Sequence, residues 1–302
     1  MVLRRARRGG RIVVRDMAAS DVPAVAAIFR DAFNDVYKRR GFGPVVTDDA
    51  VGAVIADTYR DLDPGGCVVV TVDGEVAGSG FLHPRGQTGG AGPITIAPAF
   101  QGLGVGRALM EEVVARSDAA GIASLRLIQD AFNEVAYALY AVTGFVGREV
   151  LLRASFRSRR LGRVEGDVRR AYRGDLARIR SIENDLLGID RPQDHALLLR
   201  LGELFLAPDG MLVRIVRGNV TVLGPIVAES LESALALIAA ATTDLTPHSD
   251  VRLLVPARCD DLVRELLVNY KLEIHSLCTY MVRGSWGGVR GYYVPTLFPE
   301  SG

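Results

Sequence analysis

The stretch Gln101-Gly102-Leu103-Gly104-Val105-Gly106 constrains this chain more than any other. It follows an apolar run, Pro93-Ile94-Thr95-Ile96-Ala97, and opens a helical pattern that begins near Arg107. A glycine-rich turn leading from a strand into a helix lets backbone N–H groups crowd toward one point with no Cβ in the way. The unpaired amides and the positive end of the helix dipole favour an anion there. The expected ligand is therefore a nucleotide-like pyrophosphate, and the expected fold class is α/β. Two common nucleotide-binding classes do not fit. No Gly-Lys-Ser/Thr ending marks a P-loop, and Gly102, Gly104 and Gly106 follow a G-x-G-x-G spacing late in the first half, not the G-x-G-x-x-G of a dinucleotide fold.

Downstream, a strand-like Leu125-Arg126-Leu127-Ile128 precedes Asn133-Glu134-Val135-Ala136-Tyr137-Ala138-Leu139-Tyr140-Ala141-Val142-Thr143-Gly144-Phe145. Together these segments resemble the GNAT superfamily of N-acyltransferases. Gln101, Gly104 and Gly106 occupy the positions of that family's Gln/Arg-x-x-Gly-x-Gly/Ala pyrophosphate loop. Asn133, Ala136, Leu139, Tyr140, Gly144 and Phe145 match its second signature, Asn-x-x-Ala-x-x-Leu-Tyr-x-x-x-Gly-Phe, at every defined position. The resemblance covers residues 11–155. It implies a GNAT fold, a mixed α+β sheet, that uses acetyl-CoA as co-substrate and no metal.

Residue by residue, the resemblance implies that the pantetheine arm lies along Ile94, Thr95 and Ile96. The diphosphate would sit on Gln101, Gly102, Leu103, Gly104, Val105 and Gly106, with Arg107 reaching a phosphate. Asn133 would hydrogen-bond the pantetheine while capping its own helix. Tyr140 resembles the family's phenol that gives a proton to the CoA sulfur, and a backbone N–H near Ile96 would polarise the thioester carbonyl. The implied reaction moves an acetyl group to a primary amine, on a small-molecule or peptide acceptor. Many relatives carry a Glu on the central strand as general base, but Gly89-Gly90-Ala91-Gly92-Pro93-Ile94-Thr95-Ile96 holds no carboxylate. His83, Asp130 and water are the alternatives. Asp31, Asp35, Asp48 and Asp49 would either bind a cationic amine or form a solvated helix face.

An internal repeat organises the rest of the chain. Val14-Arg15, then Asp21-Val22-x-x-Val25-x-x-Ile28, recurs at one constant offset as Val168-Arg169, then Asp175-Leu176-x-x-Ile179-x-x-Ile182. Gly92-Pro93-Ile94 recurs as Gly224-Pro225-Ile226, and Leu125-Arg126-Leu127 as Val251-Arg252-Leu253. Two tandem domains are expected, 11–155 and 164–284, joined by an arginine-rich segment from Ser155 to Glu165. The second is read as degenerate. After Ile226 the chain runs Val227-Ala228-Glu229-Ser230-Leu231-Glu232, without the glycines and with two carboxylates that would repel a diphosphate. Leu266-Leu267 stands where the phenol would be. This half is expected to wall the acceptor cleft or to form a homo-oligomer contact.

At 302 residues the chain suits two domains, and 49% hydrophobic with 24% charged residues suits a globular core. A net charge of +1 gives no general pull toward nucleic acid or membrane. Cys67, Cys259 and Cys278 are odd in number and widely spaced, which predicts reduced thiols in a cytoplasmic protein rather than a disulfide framework or a zinc site. His83, His195, His248 and His275 show no ligand spacing. No apolar run approaches a membrane span, and Arg4, Arg5, Arg7, Arg8 and Arg11 read as a solvated tail.

Three other readings are open at this stage. An acyl-CoA sensor would keep Gln101 to Gly106 without needing Tyr140. A mycothiol-synthase-like enzyme shares the tandem layout, but its intact cofactor motif belongs in the C-terminal half. A nucleic-acid binder would use Arg153, Arg157, Arg159, Arg160 and Arg163.

Overall fold

Residues 67–72, Cys-Val-Val-Val-Thr-Val, are β-branched at every position but the first, and all six are buried. Such a strand belongs in a sheet covered on both faces. In the computed structural model, which describes residues 2–5, 10–158 and 166–296, it does. Arg7, Arg8, Arg159, Arg160 and Arg163 lie outside the described residues. The chain forms two compact units: one runs to Val146 and includes the returning stretch Val282–Gly284, and the other takes Gly147–Met281 and the residues from Ser285 on.

The first unit contains β1 (Val2–Arg5), β2 (Arg11–Asp16), α1 (Val22–Arg39), α2 (Asp49–Leu62), β3 (Cys67–Val72), β4 (Glu75–Arg85), β5 (Thr88–Ala91), β6 (Thr95–Ile96), α3 (Val105–Ala119), β7 (Ser124–Asp130) and α4 (Glu134–Val142). Strands β1 to β5 pair antiparallel in order, and β7 joins β5 in parallel. Alternation along the strands decides which helix covers which face. Cys67, Val69 and Phe81 pack with Val22 and Val25 of α1 and with Ala56 and Tyr59 of α2. Gly80, one residue from Phe81, faces Leu109 of α3 on the opposite side.

Local chemistry sets the element boundaries. Asp73-Gly74 turns β3 into β4, with both residues at positive φ. Asp48 caps α2 by accepting from the Ala50 N–H at 2.8 Å. Asn133 caps α4 by accepting from the Ala136 N–H at 3.2 Å. At the start of α1, the Asp21 carboxylate takes the Ala18 N–H and both terminal nitrogens of Arg15. In the returning stretch, Arg283 pairs with Asp118 at the end of α3.

The second unit holds most of β8 (Val146–Arg157), then β9 (Arg169–Arg170), α5 (Leu176–Leu187), α6 (Pro192–Leu201), β10 (Glu203–Ala207), β11 (Gly210–Arg217), β12 (Val220–Ala228), α7 (Leu231–Thr242), β13 (Asp250–Pro256), α8 (Asp260–Glu265), most of β14 (Glu273–Gly284) and β15 (Tyr292–Val294). It repeats the plan of the first: β9 to β12 run antiparallel and β13 joins β12 in parallel. The strand after the parallel pair, β8, is supplied from before the repeat begins. It pairs antiparallel with β13 from Arg157↔Asp250 to Leu151↔Pro256.

Candidate active site

The site starts as a fault in the first unit's sheet. β5 and β7 pair in parallel from Thr88↔Ser124 to Gly90↔Arg126. Beyond that point the chain turns at Gly92-Pro93, and β6 stays on β4 through Gly78↔Ile96 and Ser79↔Thr95. The rest of β7, Leu127 to Asp130, is left to diverge. One backbone edge of Ile94 to Ile96 therefore faces a slot, where an extended ligand can hydrogen-bond as a strand would. Thr95 turns its side chain into the sheet, its hydroxyl 2.9 Å from that of Ser79, while Ile94 and Ile96 line the slot.

The glycine loop closes one end. Gly102 and Gly104 hold φ of 74° and 89°, left-handed values that side-chain-bearing residues avoid. Gly104 is the residue from which α3 starts, so the N–H groups of the first turn of α3 open toward the slot. At Gly106 the fit is close: a Cβ there would lie 3.3 Å from Leu139 Cδ2 and 3.5 Å from Ile96 Cγ1, both of residues that line the cleft. Gln101 fastens the loop, donating from Nε2 to the Ile96 carbonyl at 3.1 Å.

From the other side α4 presents Val135, Ala136, Leu139 and Tyr140. Tyr140 is 8% exposed, and its ring stands 6.0 Å from that of Phe145. Burial pushes its phenol well above the ordinary tyrosine range, so it holds its proton at any physiological pH.

These pieces enclose one cleft of about 370 Å³. Of the residues picked from sequence, Ile94, Thr95, Ile96, Gln101, Gly102, Gly104, Gly106, Arg107, Asn133 and Tyr140 line it. Leu103 and Val105 do not; Val105 is fully buried in the core. Arg107 reaches back to Glu111 at 3.0 Å along its own helix.

A further wall comes from α1, within the stretch from Asp31 to Val54 that the family resemblance implies for acceptor specificity; its lining residues Ala32, Phe33, Val36, Tyr37 and Arg39 were not singled out from sequence. The signal was present as pairs four apart, Ala32 with Val36 and Phe33 with Tyr37, which share a helix face. Tyr37 crosses the cleft to donate to Asp130 at 3.0 Å.

His83 is not at the site. Its ring is fully buried with Nδ1 2.8 Å from Asp63 and Nε2 2.9 Å from the Gly92 carbonyl, so both nitrogens are committed and neither is left to take a proton from an amine. Asp63 also takes both terminal nitrogens of Arg85. Although burial alone would raise it, the Asp63 carboxyl is held below its ordinary value by His83 and Arg85. The cluster fixes the carbonyl from which the slot-lining strand departs. The acidic residues of the first helices each have a partner within the chain. Arg30 pairs with Asp31 and Asp49, Arg39 with Asp35, and Asp48 serves as a cap.

In the second unit the equivalent slot is occupied by the chain itself. Ile226 to Ala228 stand where Ile94 to Ile96 stand in the repeat, and β15 pairs antiparallel with them through Ile226↔Val294, Val227↔Tyr293 and Ala228↔Tyr292. Helix α7 starts from Ser230, whose side chain caps it and donates to Asp209. The Asp209 carboxylate, from the turn between β10 and β11, thus lies at the start of α7, where it also accepts from the Ser233 hydroxyl. Of the arginines proposed for nucleic acid, Arg153 donates to Cys278 Sγ and Arg157 to the His248 carbonyl. Among the described residues, no group of three or more His, Cys, Asp or Glu is placed to hold a metal ion, and no helix is long and apolar enough to cross a membrane.

A strand edge that runs into an anion cradle suits an extended ligand with an anionic end. The chain belongs to the GNAT acetyltransferase family and carries two of its domains: residues 24–145 match the acetyltransferase (GNAT) family and residues 209–287 an acetyltransferase (GNAT) domain. No curated protein sequence matches it. Among solved structures, a Pyrococcus horikoshii protein carrying a provisional acetyltransferase name is 20% identical, with a TM-score of 0.77 over 96% of each chain. A GCN5-related N-acetyltransferase of Sphaerobacter thermophilus is 16% identical, with a TM-score of 0.62 over 92% of this chain and 97% of that one. One from Kribbella flavida is 20% identical, with a TM-score of 0.59 over 90% and 71%. At such identities the likeness is one of fold.

Proposed function

We propose that this protein is an acetyl-CoA-dependent N-acetyltransferase with one working site, in the first unit. The observation that carries the reading is the convergence of the open edge of Ile94 to Ile96, the left-handed glycine loop and the buried Tyr140 on a single cleft. Pantetheine amides would bond along the edge, with Asn133 at the far side, and the diphosphate would rest on the first turn of α3. The amine nitrogen attacks the thioester carbon, and the C–S bond breaks. Tyr140 gives its proton to the leaving sulfur while the nitrogen releases one to water. A backbone N–H near Ile96 polarises the carbonyl.

The second unit is read as non-binding because β15 pairs along its slot and the Asp209 carboxylate lies at the start of α7. The acceptor is a primary amine on a small molecule or a peptide. Three buried free thiols support a reducing, cytoplasmic setting. The test is a screen of amines, polyamines, amino acids, aminoglycosides and peptide N-termini, following release of CoA thiol. Turnover with at least one amine is expected. Acetyl-CoA binding without turnover across the panel would favour an acyl-CoA sensor, and absence of binding would end the reading.

A further inference from the structure

The end of α1 is tied across the mouth of the cleft at three points. Tyr37 donates to Asp130, Arg39 donates to Gln101 Oε1 at 2.7 Å, and Arg40 pairs with Glu134 at the start of α4. Arg39 differs from the other two in where it ends: on the first residue of the glycine loop. Its second partner, Asp35, lies one turn back on the same helix, and the two side chains are 53% and 28% exposed. Exposed pairs of this kind contribute little, and a neutral amide oxygen is a weaker acceptor than a phosphate oxygen. The loop itself supplies only the partial charges of peptide amides; of the two arginines beside it, Arg107 lies on α3 in an i,i+4 pair with Glu111 as exposed as that of Arg39 with Asp35, while Arg39 reaches the loop from across the cleft. A diphosphate entering the cradle therefore meets, in Arg39, a full positive charge held by weak partners.

We propose that Arg39 is a ligand of the acyl-CoA diphosphate, held on Gln101 and Asp35 in the free protein and transferred to the phosphate oxygens when the co-substrate fills the cleft. The proposal rests on the acyl-CoA reading above. A guanidinium fork can span two oxygens, so the exchange replaces a contact to one amide oxygen with a charge-assisted pair and draws the end of α1 onto the loop. Asp35 is left facing water.

Calorimetric titration of the full chain with CoA and with 3′-dephospho-CoA tests it. Arg39→Gln should weaken both ligands alike by about 10-fold, the loss expected of one charge-assisted bond, and flatten the salt dependence of binding. Asp35→Asn, which does not touch the cleft, should tighten both, and misfolding cannot produce that sign. Unchanged affinity in Arg39→Gln, or a loss confined to CoA with dephospho-CoA unaffected, would overturn the diphosphate assignment. If the wild-type chain binds neither ligand, the acyl-CoA reading falls first, so the two failures are distinguishable.

Discussion

Gly104 and Gly106 stand two residues apart in one loop, yet they are needed for different reasons, and alanine at each should act with different signs. At Gly104 the backbone sits at φ 89° and ψ −2°, and a Cβ would meet nothing within 4 Å. The cost of Gly104→Ala is therefore conformational, about 1–2 kcal/mol for a left-handed residue. If the loop keeps its shape, the melting temperature falls by about 2–8 °C. If it relaxes to avoid the strain, the amides no longer converge, and affinity for acetyl-CoA falls by about 5–30-fold. Asparagine tolerates this region better, so Gly104→Asn should fall between glycine and alanine.

At Gly106 no left-handed angle is involved, and alanine favours the helix by about 0.5–1 kcal/mol. Its methyl, however, would press between Leu139 and Ile96, both of which line the cleft. Gly106→Ala should hold or raise the melting temperature while weakening acetyl-CoA. Differential scanning fluorimetry with calorimetry of acetyl-CoA binding reads both effects. Wild-type affinity in both alanine variants, or a melting temperature lowered at Gly106 and unchanged at Gly104, would refute the reasoning.

Tyr140→Phe keeps the ring against Phe145 and removes only the proton; turnover should fall by about 10²- to 10⁴-fold with acetyl-CoA affinity intact, and an unchanged rate would take Tyr140 out of the mechanism. Asp63→Asn leaves Arg85 and His83 buried without their carboxylate, and chemical denaturation should show a loss of about 3–5 kcal/mol. In the second unit Glu183 is wholly buried, and although burial alone would raise it, Arg191 and His195 hold its carboxyl at about 2 against an ordinary 4.5. Its folded-state value is depressed, so its contribution of about 3 kcal/mol is complete above the ordinary value and drains away as pH falls toward 2. Acid unfolding followed by circular dichroism should show that slope, and Glu183→Gln should make it shallower, Asp63 and the other paired carboxylates supplying the rest. Burial raises Cys67 to about 12, Cys259 to about 11 and Tyr270 to about 12. The unfolded chain ionises these groups first, so stability should fall as pH climbs past the ordinary thiol value of 9.0.

What the sequence made legible was short-range chemistry. The glycine loop and the Asn133 cap each carry their signal within a few residues, and each stands where the spacing put it. What it concealed depends on partners far apart in the chain. The central strand reads as one apolar run, yet only Thr95 and Ile96 form β6, because the chain turns at Gly92-Pro93 and resumes on β4 without β7 beside it. Nothing near His83 predicts that Asp63, on another element, will claim its Nδ1 and turn a candidate base into a buried prop. The loss of glycines after Ile226 was visible, but the pairing of β15 with that edge was not, since a three-residue strand near the C-terminus has no periodicity to read. The same limit hid β8, whose composition does not say that it will pair with β13.

A calorimetric count of acetyl-CoA bound per chain, made on the wild-type protein and on Gly104→Glu, tests the central claim most directly. One site per chain, lost in Gly104→Glu, is the expected result. Two sites, none, or a single site that survives Gly104→Glu would contradict the assignment of the cofactor to the first unit's cleft.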